Sequence, residues 1–157
     1  MVKRLLIAIL LFPALLYAQI NTERVMMIAR NALYFEDYVL SIQYFNQVIS
    51  AKPYLFEPYF FRGLAKINLE DYQGAEADCD EAIRRNPFVV GAYQIRGLAR
   101  IRQNNFDGAI EDYRMALKYE PENVVLWHNL TLCHMQKEDH TSAKDDLEKL
   151  LAVSPRY

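Results

Sequence analysis

Beyond residue 21 the chain is built from stretches in which apolar and small side chains fall three and four places apart, with charged residues between them. That spacing lines one face of a helix. The stretches are punctuated at regular places. A capping residue stands at Asp37, Asp71, Asn105 and Asp139, and a ring follows it at Tyr38, Tyr72, Phe106 and His140. Three places later comes a small residue, at Ser41, Ala75, Ala109 and Ala143, and proline recurs at Pro53, Pro87, Pro121 and Pro155. An Asp or Asn cap accepts a hydrogen bond from the free amides that open a helix, worth about 1 kcal/mol. Proline disfavours the helical conformation in the residue before it and so ends one. The pattern predicts helices at about 23–36, 38–51, 57–69, 72–85, 90–103, 106–119, 124–137 and 140–153, and no strand.

Every one of these columns returns after 34 residues. A fixed period of that size marks a stacked-repeat architecture. The repeats run 22–55, 56–89, 90–123 and 124–157. Position 4 of the unit holds Val25, Tyr59, Tyr93 and Trp127, and position 8 holds Ala29, Gly63, Gly97 and Thr131. Position 24 holds Phe45, Cys79, Tyr113 and Leu147, and position 27 holds Val48, Ala82, Ala116 and Leu150. Small residues at 8 and 20 let the two helices of a hairpin approach, while the larger ones among positions 4, 24 and 27 fill the space between hairpins. In these columns the chain resembles the tetratricopeptide (TPR) repeat family over everything after residue 21, most closely in repeats two and three. Repeat one departs at Ser41 and Val48, and repeat four at Thr131, His134, His140 and Leu150. The resemblance implies an all-α fold, a right-handed α-solenoid of four helix-turn-helix repeats in one domain over 22–157. It also implies a protein that binds other proteins and does not catalyse.

The first residues read as a leader. Lys3 and Arg4 precede an apolar run from Leu5 to Ala18, interrupted by Pro13. The run suits the core of a signal peptide and is short for a membrane span. Cleavage after Ala18 is expected, placing the mature chain in the periplasm or outside the cell, with no membrane span left. An uncleaved anchor is the alternative. The net charge of −2 falls to −4 when Lys3 and Arg4 leave with residues 1–18. So mild and mixed a balance argues against nucleic acid, which demands clustered positive charge. Export permits disulfides, but Cys79 and Cys133 fall in different helices of repeats two and four. The stacking order keeps them apart, so both read as small buried residues.

Candidate chemistry is sparse. His128, His134 and His140 are six places apart, which puts His128 and His134 on different sides of a helix, and no His-Glu-x-x-His pair exists to hold zinc. No metal or cofactor is expected. His134 reads as a core variant, His140 as a helix start and His128 as part of the groove wall. The carboxylates of Asp78, Asp80 and Glu81, and of Asp145, Asp146 and Glu148, read as a solvated outer face. There is no phosphate loop and no Gly-x-Ser-x-Gly elbow. Asn129-Leu130-Thr131 matches a glycosylation triplet but lies inside an expected helix.

Function is therefore expected on the concave face, which in this family is lined by the first helix of each repeat. Chaperone-binding members clamp a C-terminal carboxylate there with Lys, Asn and Arg. The corresponding positions here are Met26, Arg30, Phe61, Gly91 and Ile95, or one repeat later Phe60, Leu64, Ile95, Val125 and Asn129, so the clamp is absent. The groove reads instead as an apolar trough for an amphipathic helix or an extended apolar peptide. Its expected lining is Met26, Met27, Arg30, Phe60, Phe61, Leu64, Ile67, Ile95, Leu98 and Ile101, centred on Phe60 and Phe61 with Ile95 and Leu98. A second surface is expected at the end of the stack, where Leu132, Leu147, Leu150 and Leu151 lack a following helix. That edge implies a homo-oligomer or a docked partner helix. The resemblance implies an exported interaction scaffold or adaptor; the alternative is the N-terminal TPR region of a larger envelope protein or enzyme.

Overall fold

A computed structural model describes residues 22–154. Among them lie eight helices and no strand: α1 over 22–34, α2 Tyr38–Ala51, α3 Glu57–Asn68, α4 Tyr72–Arg85, α5 Val90–Arg102, α6 Phe106–Tyr119, α7 Val124–Gln136 and α8 His140–Val153. The boundaries match the expected ones to within about two residues. Each of α2 to α8 packs on its neighbours in chain order, and α3 also touches α5, so the first helices of repeats two and three lie side by side. The leader, its cleavage point after Ala18, and Pro155 lie outside the described residues.

Four side-chain caps form as the sequence implies. Asp37 accepts from the Leu40 amide at 3.1 Å, Asp71 from Gly74 at 2.9 Å, Asn105 from Gly108 at 3.1 Å and Asp139 from Ser142 at 3.1 Å. The same residues also close the preceding helix. The Asp71 amide donates to the Lys66 carbonyl at 3.0 Å while Glu70 donates to Ile67 at 3.1 Å, and the other three hairpins repeat both bonds. This Schellman closure needs a residue in the left-handed region. Glycine is the usual occupant, but here the residues are Glu36, Glu70, Asn104 and Glu138, with φ between 59° and 62°. Each non-glycine residue held there costs on the order of 1 kcal/mol.

The packing columns behave as their sizes demand. Ala75, Ala109, Ala82 and Ala116 are fully buried between helices, and Phe45, Cys79 and Tyr113 are fully buried beneath the next hairpin. A Cβ on Gly97 would come within 2.9 Å of the Tyr113 ring, so the glycine makes room for it. The position-4 rings also carry a bond that the sequence reading omitted. Tyr59 Oη donates to the Pro53 carbonyl at 3.3 Å, Tyr93 Oη to Pro87 at 3.1 Å and Trp127 Nε1 to Pro121 at 2.7 Å. Each proline turn is thereby tied to the helix that follows it. Cys79 and Cys133 are both buried and unpaired, as expected.

The expectation of solvated carboxylates is in part overturned. Asp78 and Asp146 are not on a solvated face; with Asp112 they are buried, and they form a polar ladder through the stack. Asp78 receives Arg62 Nη2 at 2.5 Å and Lys66 Nζ at 2.9 Å. Asp112 receives Arg96 Nη2 at 2.5 Å and Arg100 Nη1 at 3.0 Å. Asp146 takes His134 Nδ1 at 2.6 Å. A buried carboxylate persists only when such partners replace its water. Arg62 also reaches back to Asn46, and Arg96 to Asp80, so the ladder joins successive repeats. Burial works against the Arg96 charge, but the hydrogen bonds and charge of Asp112, with Asp80 beyond, hold it protonated more firmly than usual.

Candidate functional site

The face formed by α1, α3, α5 and α7 carries most of the expected groove residues, but not as one trough. A hollow of about 690 Å3 lies between α1 and α3, lined on α1 by Met26, Met27, Arg30, Leu33 and Tyr34 and on α3 by Phe61, Leu64 and Asn68. Phe61 forms its wall. Its ring stacks on the buried Phe45 at 5.9 Å, 11° from parallel, and the Arg30 guanidinium sits 5.0 Å from its centroid. A cation over a ring face is attracted by the ring's quadrupole, so Arg30 is held across the hollow. Glu23 and Glu36 lie at its rim. Met27 is 56 % exposed, and Tyr34 also stands open to solvent.

Beyond this hollow the groove closes. Phe60 and Ile67 pack against the core cluster of Tyr59, Cys79, Ala82, Ala92 and Ile95. Gly91 permits it: a Cβ there would lie 2.9 Å from the Phe60 ring. Ile95, expected at the centre of the trough, is only 8 % exposed and belongs to this core. Its helical position is as the sequence implies, but it faces this core and not an open trough. A second hollow, of about 450 Å3, opens between α5 and α7. Leu98 and Ile101 line it as expected, with Leu132, Cys133, Arg102, Asn104, Phe106, Asn129 and Gln136.

The far edge is also smaller than the sequence implied. Leu150 is buried by its own hairpin at 1 % exposure, and Leu132 lines the second hollow. Leu147 and Leu151 remain. Leu147 is 45 % exposed where its equivalents Phe45, Cys79 and Tyr113 are wholly covered, and Leu151 is likewise open.

Reactive chemistry is muted. Burial pushes the Cys133 thiol up to about 11 and the Cys79 thiol higher still, so neither is a thiolate at neutral pH. His134 sits in the core, bonded to Asp146, with Arg114 Nη2 3.5 Å from its other ring nitrogen. His140 opens α8. Asn129 lies within α7. Among the described residues no group of three or more His, Cys, Asp and Glu side chains is placed to hold a metal ion, and no helix is long and apolar enough to cross a membrane.

Comparison with known proteins agrees with this geometry. No curated protein matches the chain. Among solved structures, the crystal structure of MamA superposes with a TM-score of 0.84 at 20 % identity, over 87 % of this chain and 80 % of that one. The first TPR of Spaghetti (RPAP3), bound to the HSP90 peptide SRMEEVD, gives 0.73 at 24 % identity, over 74 % and 93 %. YrrB, described as a TPR protein with an unusual peptide-binding site, gives 0.76 at 17 % identity, over 82 % and 66 %. At such identities the likeness speaks for the fold alone. The sequence profile of the tetratricopeptide repeat matches residues 62–124 and 95–156, and with the repeated caps, turns and packing columns it makes this chain a member of the tetratricopeptide repeat family.

Proposed function

We propose that this protein is an exported, non-catalytic interaction scaffold that holds an apolar peptide or amphipathic helix on its concave face. The observation that carries this reading is the hollow between α1 and α3. It joins Met26, Met27, Leu33, Phe61 and Leu64 in one cleft, and its two methionines adapt to differently shaped apolar partners. Solved TPR structures bound to peptide, such as that of RPAP3, support a peptide-binding use of the fold.

The test is capture from the envelope fraction by the wild-type protein and by a groove variant. Phe61→Ala should weaken binding about thirtyfold, as central aromatic anchors do, but its ring also stacks on Phe45, so part of any loss would be a folding effect. Met27→Glu isolates the binding term because Met27 is exposed. We expect partners held by wild type to be lost with Met27→Glu at an unchanged melting temperature. Partners retained by Met27→Glu and by Phe61→Ala alike would move the function off this face.

Export rests on the basic start, the apolar run and Ala18. The uncovered Leu147 and Leu151 favour a further apolar helix packed on α8, from a second copy or another protein. One preparation examines both. The protein isolated from cells should begin at Gln19, and light scattering should show self-association that Leu147→Glu with Leu151→Glu abolishes. An N-terminal Met1 on cytoplasmic material rejects export, and a monomer unaffected by the double change rejects self-association.

A further inference from the structure

The two hollows differ in charge, and the difference points to what the second one holds. On α5, Arg96 and Arg100 are both committed to carboxylates. Arg102, two residues on, lines the second hollow and makes no hydrogen bond, ion pair or ring contact with any described residue. The side chains of Asn104, Asn129 and Gln136, which line the same hollow, are equally unengaged. No carboxylate lines it, and the adjacent Asp107 is already paired with Lys137. In the first hollow, by contrast, Glu23 and Glu36 accompany Arg30, which is drawn over Phe61.

We propose that the second hollow is an acidic subsite: it takes an Asp or Glu side chain of an extended peptide whose apolar neighbours seat on Leu98, Ile101 and Leu132. This rests on the reading of the concave face as a peptide groove. A guanidinium presents a planar fork that matches a carboxylate with two parallel bonds. Primary amides offer donors and an acceptor at once, which is what a passing peptide backbone requires. Asn104 lies in the turn after α5, while Asn129 and Gln136 lie on α7, so the amides flank Arg102 from both walls. That arrangement suits a chain running through the hollow and not one that ends in it. A purely aliphatic segment would strip water from the guanidinium and three amides and return no hydrogen bonds. A basic segment would meet an unneutralised charge.

The test pans random peptide libraries, displayed with blocked or with free C-termini, on the protein as isolated from cells. Wild type, Arg102→Gln and Arg24→Gln are run in parallel; Arg24 is exposed and lines neither hollow. Arg102 has no internal partner, so Arg102→Gln should melt as wild type does. Wild type and Arg24→Gln should enrich Asp or Glu beside apolar residues from the blocked library, and Arg102→Gln should keep the apolar enrichment but lose the acidic one. In a resynthesised peptide, Glu→Gln should weaken binding to wild type about tenfold in fluorescence anisotropy, and to Arg102→Gln less than twofold. Apolar enrichment with no acidic excess, or an equal excess on Arg102→Gln, overturns this proposal and leaves the groove reading standing. An acidic preference that needs a free C-terminus overturns it in favour of a chain end. Failure to enrich any peptide removes the groove reading with it.

Discussion

Asp112→Ala should lower the stability of the stack by about 3–5 kcal/mol, more than any substitution of a surface charge. Asp112 is 1 % exposed and holds both Arg96 and Arg100. Burial holds its carboxyl above the usual range, against the pull of the two guanidiniums. Removing it takes away the buried carboxylate that the two guanidiniums share and leaves each with one outer partner, Arg96 with Asp80 and Arg100 with Glu76. The arginines keep some access to water, which places the result toward the lower end of the range. For a domain of this size the melting temperature should fall by about 10 °C or more. Asp80→Ala removes a half-exposed partner of the same Arg96 and should cost less than about 1 kcal/mol. Similar melting curves for the two variants would show that the buried ladder is not what holds repeats two to four together.

Tyr113 offers a second large effect, and one whose sign depends on a single atom. Its ring is fully buried, packed under Gly97 and within the cluster of Tyr93, Leu126, Leu130 and Cys133. Tyr113→Ala should cost about 3–5 kcal/mol, because a cavity would open where three helices meet. Its hydroxyl, however, is buried without a hydrogen-bond partner, and burial pushes its pKa well up. Tyr113→Phe keeps the ring and deletes an unsatisfied polar atom. It should therefore stabilise by about 1 kcal/mol. Urea titrations of the two variants would check both signs. A loss of stability in Tyr113→Phe would mean that the hydroxyl has a partner, such as an ordered water.

The architecture was legible because repetition averages out local ambiguity. A lone Asp71 is a weak start signal, but the same cap at four sites in one register fixes the helices to within a residue or two. The αL residues were not legible, since Glu36, Glu70 and Glu138 carry none of the glycine that usually marks them. The buried carboxylates were hidden for a related reason. Asp78 and Asp80 look alike in the sequence, and only the arginine and lysine folded onto Asp78 separate the core residue from the surface one. The pairing could have been found in the columns, where Arg62 and Arg96 recur at one position and Asp78, Asp112 and Asp146 at another. The groove positions came from the family resemblance, which named the lining of the first hollow but could not foresee Phe60 packing over Gly91 against the core that holds Ile95. It also gave no weight to Arg102, whose lack of a partner is visible only once its neighbours are seen to be paired.

Asp37, Asp71, Asn105 and Asp139 each finish one helix and begin the next. A hairpin therefore has no slack: pulling its helices apart breaks a closure and a cap at one residue. The junctions at 52–56, 86–89 and 120–123 have no such doubling. There the ties come from outside the turn: Tyr59, Tyr93 and Trp127 hold the carbonyls of Pro53, Pro87 and Pro121. The helices of one hairpin meet more extensively than those of successive hairpins, so the width of each hollow depends on the packing across those three turns and not on the hairpins themselves.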